Sequence, residues 1–409
     1  MRFLFYAPLL AVAPGMASAE PLTFHAAIER AQQQAPSIKA KALGTDAARA
    51  ARPGAGALPD PTLGVSVESF PISGPLAFKP QRDDFTMARV GVSQDIPNLA
   101  KRHAQQARAD SDIKVAEADT AVEARTVEVG VALAWINLAY AERRLAALDG
   151  VLSRLERVVG TTPGAVASGT ARPAQTLAGQ QAVAAMRDRR SELVSNVARA
   201  RAMLTRWTGD PAPEVAGPIP DFVVDAVALR AGLDGHPSIR MSVAQAGQAD
   251  ADVRLAEAGR RSDFGVNLAY QRRDPRFGDY VSAGVTISLP FFTRNRQNAG
   301  IAAAQANAGR VLAEREAFRR ALAADLDAEL ADHVMHHEQW MRARDTLQPL
   351  AEQRVKLETA SYGAGRASLV DVADAYVALA DATLTTLDRE AKVAADGAGL
   401  IFTYGSELR

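Results

Sequence analysis

Phe264-Gly265-Val266-Asn267-Leu268-Ala269-Tyr270-Gln271 and, past a short polar break, Val281-Ser282-Ala283-Gly284-Val285-Thr286-Ile287-Ser288-Leu289 decide how this chain folds. In both stretches apolar residues alternate with small or polar ones. Successive side chains of a strand point to opposite faces, so each stretch offers one apolar face and one face of Gly, Ser, Thr, Asn and Gln. A membrane barrel with lipid outside and water inside has this pattern, and so does a soluble two-hairpin domain with one buried face. Two earlier stretches repeat it less cleanly, one with Leu63, Val65 and Val67 on a face and one with Ala88, Val90 and Val92. Strands are therefore expected at about 62–69, 85–95, 263–272 and 279–289.

Outward from the strands, the chain is duplicated with a period of about 195 residues. Pro36-Ser37-Ile38 recurs as Pro237-Ser238-Ile239. Val92-Ser93-Gln94-Asp95-Ile96-Pro97 is echoed by Val285-Thr286-Ile287-Ser288-Leu289-Pro290, and each copy runs into a basic helix start, Lys101-Arg102 or Arg294-Asn295-Arg296. The order is helix, strand pair, long helix, turn, long helix, twice over: a first repeat at 20–207, a proline-rich linker at 208–225 and a second repeat at 226–409. No proline interrupts 98–159, which suits one helix of about 60 residues and roughly 90 Å. From Arg296 to Tyr362 the helical pattern returns, with Val311, Phe318, Leu322, Leu326, Leu330 and Val334 along one stripe and only Pro349 breaking it.

Residues 1–19 read as a secretory leader, with Arg2, an apolar run and the small-residue site Ala17-Ser18-Ala19, so the exported chain is expected to start at Glu20. There is no cysteine in 409 residues, which excludes disulfides, thiolate metal sites and a cysteine nucleophile. The 47 basic and 47 acidic residues balance, and with no basic block nucleic acid is not an expected partner. No serine elbow, phosphate loop or dinucleotide fingerprint is found, so no enzyme and no cofactor are expected. Past the leader, the longest uncharged apolar run in a helical context is the 13 residues 129–141, short of the roughly 20 a membrane helix needs. A membrane crossing must then use strands. The leader, the very long helices and the small polar residues of the second strand face favour that reading over the soluble one. Four strands cannot close a barrel, since the smallest membrane barrels have about eight, so chains must associate; two copies or three would serve.

Three motifs carry a family resemblance: Leu58-Pro59-Asp60-Pro61, then Val90-Gly91-Val92-Ser93-Gln94-Asp95-Ile96-Pro97 with Lys101-Arg102, and Tyr362-Gly363-Ala364-Gly365-Arg366-Ala367-Ser368-Leu369-Val370-Asp371-Val372-Ala373-Asp374-Ala375. Over essentially the whole exported chain these resemble the TolC family of outer-membrane factors. The stretch from Phe70-Pro71-Ile72 through Phe85-Thr86-Met87 is most similar to its heavy-metal efflux branch, the CusC and CzcC kind. The resemblance implies a mainly α protein with membrane β-structure: a homotrimer with a 12-stranded outer-membrane β-barrel continuous with a 12-helix periplasmic α-barrel. Its implied partners are a periplasmic adaptor (a membrane fusion protein), an inner-membrane pump of the RND type and outer-membrane lipid. The implied function is an exit duct for efflux substrates, divalent heavy-metal cations first. Organic-compound efflux, type I protein secretion and a periplasmic coiled-coil scaffold without a barrel stay open as alternatives.

The same resemblance puts Gly169 and Gly365 in the two turns at the periplasmic tip, where the adaptor docks. Pro173 and Gln175 stand in the first copy where Leu369 and Asp371 stand in the second, so the two turns are not expected to be equivalent. Asp371 and Asp374, three apart, share a helix face. In three copies they would form stacked acidic rings that favour cations and serve as the pore gate, and crowding is expected to raise some of their pKa values. Tyr362 and Arg366 are candidates for locking the closed tip. His333, His336 and His337, at i, i+3 and i+4, are a weak metal-site candidate with no acid or cysteine to complete it.

Overall fold

A computed structural model describes residues 21–161 and 173–405; the leader and Gly169 lie outside them. The first half runs α1 (Phe24–Gln34), α2 (Pro36–Ala51), β1 (Thr62–Glu68), β2 (Met87–Ile96), α3 (Leu99–Gly160) and α4 (Pro173–Thr208). The second half repeats the order with α5 (Ala226–Gly232), α6 (Pro237–Ala258), β3 (Phe264–Arg272), β4 (Tyr280–Ile287), α7 (Gln297–Arg342), α8 (Gln348–Gly363) and α9 (Leu369–Tyr404). The expected duplicated helix, hairpin and long-helix order is present. α3 has 62 residues, about 93 Å at 1.5 Å per residue. Between α7 and α8 the helix widens into a π-turn over Ala343–Leu347. Pro349 explains it: a proline ring clashes with the carbonyl four residues back, and the ladder loosens just ahead of it. No helix among the described residues is long and apolar enough to cross a membrane.

The chain forms two compact units, each drawn from both copies. Of the described residues, one holds 36–125, 226–328 and 404–405 and contains the sheet. Its four strands lie in the order β1-β2-β3-β4, all antiparallel, so the two hairpins join through β2 and β3. Val65, Val90, Tyr270 and Val281 make one cross-strand row, and Leu63, Val92, Leu268 and Ala283 the next. The intervening rows are Gly64, Gly91, Ala269 and Ser282, then Thr62, Ser93, Asn267 and Gly284. Gly91 permits this packing, because a Cβ there would stand 2.9 Å from that of Ala269. The apolar face is not covered by the chain itself: Val65 is 74% exposed and Val281 70%.

Asn98 joins sheet to helix. It caps α3 by accepting from the Lys101 N–H at 2.8 Å, and its amide donates to Ala258 O, Arg261 O and Asp263 Oδ1 at 3.2, 3.3 and 2.8 Å. Asp263, one residue before β3, also accepts from the Asn98 N–H and pairs with Lys101 at 3.1 Å. Burial pushes the Asp263 carboxyl up, but the bonds from Asn98 and Lys101 outweigh it and hold the acid below its ordinary value. Further along, α2 and the short turn that follows it are pinned to α3 by Lys41–Asp119 and Arg49–Glu117 from α2 and by Arg52–Asp110 from the turn.

Of the described residues, the other unit holds 21–35, 126–161, 173–225 and 329–403. Its core packs Leu148, Leu152 and Leu155 of α3, Val183, Met186 and Leu193 of α4, Val355 of α8, and Val372, Tyr376 and Leu379 of α9. At its other pole Trp135 is buried; it donates to Leu22 O at 2.8 Å and meets Phe24 edge to face. The linker is strapped on rather than loose: Leu22 bridges Val215 in parallel, and Arg30 pairs with Asp210 at 3.0 Å. The stripe expected on α7 is buried only at Leu322, Leu326 and Leu330, while Phe318 and Val334 stay exposed.

Replacing Asn98 by Ala removes the cap and leaves the β3 entry carbonyls without their donor, costing about 2 kcal/mol. Asn98→Asp keeps the cap oxygen but sets a second carboxylate against Asp263, so it is expected to be at least as damaging. Both lower the midpoint of thermal unfolding followed by circular dichroism; an Asn98→Asp protein as stable as wild type would overturn the assigned junction.

Candidate functional site

α8 ends by backbone bonding. The Ala364 N–H donates to Ala360 O, the Gly365 N–H to Tyr362 O at 2.9 Å and the Arg366 N–H to Ser361 O at 2.8 Å. Gly365 has φ +70°, the left-handed value that glycine adopts at no steric cost and that lets the chain reverse. α9 then starts with a capping box, which the Ser-Xaa-Xaa-Asp spacing encodes. The Ser368 N–H and hydroxyl both donate to Asp371 Oδ2, at 2.8 and 2.7 Å, and the Asp371 N–H donates back to Ser368 Oγ at 3.3 Å.

This cap sets the electrostatics of the turn. The Ser368 hydroxyl, then its backbone N–H, then the Arg354 charge hold the Asp371 carboxyl below its ordinary value. The upward shift expected from crowding is not what a single chain builds; the direction is down. Asp371 and Asp374 lie exposed on one face of α9, while Leu369, Val372, Ala373, Ala375 and Tyr376 turn the other face into the core. Leu369 fixes the depth of the turn, being fully buried against α4 where Gly179 leaves room: a Cβ there would lie 3.0 Å from the leucine. Tyr362 is half-buried and packs on the same core. Arg366 is exposed and enters the turn through its main-chain N–H. The structure thus brings Tyr362, Gly365, Arg366, Asp371 and Asp374 together at one turn.

The three histidines do not converge. His336 Nδ1 stands 2.7 Å from Asp396 on α9, and His337 packs edge-on against Trp340, 5.5 Å between ring centres. His333 is half-buried, and burial lowers its pKa, so it is neutral at pH 7. Among the described residues no group of three His, Asp or Glu is arranged to hold a metal. Residues i+3 and i+4 diverge by about 100° around a helix, which is why the spacing splits the set between two neighbours.

The sequence profile of outer membrane efflux proteins matches residues 27–210 and 229–406, one stretch in each copy. The chain belongs to the outer membrane efflux protein family, that of TolC. No curated protein matches the chain by sequence. Among solved structures it is similar to CusC, described for folding and transmembrane channel formation, with a TM-score of 0.80, 15% identity and coverage of 95% of this chain and 93% of that one. It is similar as well to the open state of the Neisseria gonorrhoeae MtrE outer membrane channel, with a TM-score of 0.76, 16% identity and coverage of 99% and 98%. The Campylobacter jejuni CmeC outer membrane channel gives 0.77, 13%, 93% and 85%. These likenesses establish the fold of this efflux protein.

As an outer membrane efflux protein, the chain carries its acid pair on a helix start that the acid itself holds together. Asp371 has a depressed folded pKa, so its contribution is complete above the unfolded value, near 3.8, and is lost as pH falls through the folded one. Ser368→Ala is expected to lower the melting temperature at pH 7, and the gap to wild type should narrow in calorimetric scans as pH falls below about 3.8, leaving only the share of the Asp371 N–H to Ser368 Oγ bond. A gap that persists unchanged at pH 2.5 would sink the cap as its origin.

Proposed function

We propose that three copies of this chain form an exit duct of a tripartite efflux system, closing a barrel in the outer membrane and passing cargo delivered by an inner-membrane pump, of the RND type, through a periplasmic adaptor. The observation that carries the reading is the sheet: one continuous apolar face and, among the described residues, β1 and β4 paired on one side only. Strands of 7 to 10 residues approach the roughly 9–11 a tilted membrane strand needs. Three chains supply twelve, with each β4 meeting the next β1.

In such a trimer the α8–α9 turns form the periplasmic entrance, and Asp371 and Asp374 supply six carboxylates to it. Rings of acids attract cations and exclude anions. We therefore assign divalent metal cations as the favoured cargo over organic compounds, with Tyr362, Gly365 and Arg366 shaping the tip that the adaptor engages. The Ser368 bonds keep Asp371 ionised at mildly acidic pH, so this charge is present throughout the range in which an exported protein works.

The test is single-channel conductance of the purified protein in planar bilayers. Wild type is expected to conduct with cation selectivity and to be blocked by a divalent or trivalent cation added from the turn side, and Asp371→Ala with Asp374→Ala to lose the block. A block of equal strength in the double variant would remove the gate from these residues. A water-soluble monomer would remove the duct.

A further inference from the structure

An open cleft of about 400 Å³ lies within the unit that carries the acid turn, between α7, α9 and the linker segment 218–222. His333, His337 and Trp340 stand at i, i+4 and i+7, one stripe of α7 along a wall of the cleft. Glu390 lines the α9 side, and Phe222, set between prolines and α9, closes the third. Gly397 lets the linker lie so close, since a Cβ there would stand 2.7 Å from that of Phe222.

Two polar atoms of the α7 wall are buried without a hydrogen-bond partner, Trp340 Nε1 and His333 Nδ1. An indole N–H can only donate, so an occupant that satisfies it must bring an acceptor. The charged side chains lining the cleft are the carboxylates of Glu390 and Asp221 and one guanidinium, Arg143, which lies 3.7 Å from Glu390; beside them Arg344, paired with Asp345, stacks on the Trp340 ring at 4.7 Å. Among the lining carboxylates and guanidinium the balance is negative. Tyr140 donates to Glu390 at 3.1 Å, which fixes the carboxylate; burial first, then the Glu390 charge, push its phenol up, so it stays a donor. Aromatic walls around a net negative charge suit a flat cation rather than an anion.

We propose that this cleft binds flat aromatic organic cations that carry a hydrogen-bond acceptor, the acceptor meeting Trp340 Nε1 and the positive charge Glu390. The lining of the cleft does not include the proposed gate residues Asp371 and Asp374.

Berberine, a flat aromatic cation with ether oxygens, gains fluorescence in apolar surroundings and serves as the probe. It is titrated into the full-length protein in detergent, with empty micelles as the blank. Saturable binding of one berberine per chain is expected, weakened about tenfold by Trp340→Phe, which keeps the ring and removes the donor, and about as much by Glu390→Gln. The anionic dye 8-anilinonaphthalene-1-sulfonate should not displace it. If Trp340→Phe lowers the melting temperature, the comparison rests on Glu390→Gln. Absence of saturable binding, affinity unchanged in Glu390→Gln, or equal displacement by the anion each overturns the proposal. Channel conductance is read independently, so a failure here leaves the duct reading where it stood.

Discussion

The sheet depends on a condition that one chain cannot meet. In hydrocarbon every unpaired backbone N–H or C=O costs several kcal/mol, and among the described residues β1 and β4 each pair along one side only. The apolar rows through Val65 and Val281 are likewise left uncovered. Water penalises the apolar face and lipid penalises the open edges, so neither solvent suits the isolated sheet. Edge-to-edge closure by further copies removes the second penalty and leaves the apolar face for lipid, which is the physical content of the proposed trimer. The opposite face is built from Gly, Ala, Ser and Asn, which are small enough for neighbouring rows to close on one another: Ala269 is 2% exposed, and a Cβ at Gly91 would stand 2.9 Å from that of Ala269.

At the α8–α9 turn the same economy appears in electrostatic form. Asp371 has two demands on it, since one carboxylate oxygen is held by the Ser368 N–H and hydroxyl while the residue lies exposed beside Asp374. A capping acid is more acidic than a free one, because the donors stabilise only its charged form. Three such acids at a proposed entrance would repel one another and work against that shift. The cap therefore makes a dense ring less costly to keep ionised, at the expense of tying its charge to the start of a helix.

The strands were legible because their dyad pattern is local: each apolar residue of β3 and β4 was named by alternation alone and falls on one face. The long helices were legible through their lack of proline, and even the π-turn had its cause, Pro349, in plain sight. The stripe on α7 was half-legible. Periodicity selects the face, but only Leu322, Leu326 and Leu330 find cover within the chain, whereas Phe318 and Val334 do not. Asn98 and Ser368 were missed although cap spacing marks both, since a cap looks like any other polar residue until its helix start is fixed. The cleft and the Asn98–Asp263 junction join residues more than 150 positions apart, and no sequence period reports such a meeting.

Duplication in the sequence did not predict how the structure divides. The copies suggest two similar halves, yet β2 of the first pairs with β3 of the second over nine registered positions, and each compact unit takes segments from both. A single copy would leave one two-stranded hairpin, which is marginal in water and cannot close in lipid. The linker between the copies then has a structural task. Leu22 bridges Val215, Arg30 holds Asp210, and Phe24 meets Phe222 at 5.6 Å, so the segment between the copies ties the start of the chain to the unit it helps build. Divergence between the copies follows from this: once each half contributes different surfaces to shared units, the capped acidic turn at Ser368–Asp371 has no reason to be matched where Pro173 and Gln175 stand.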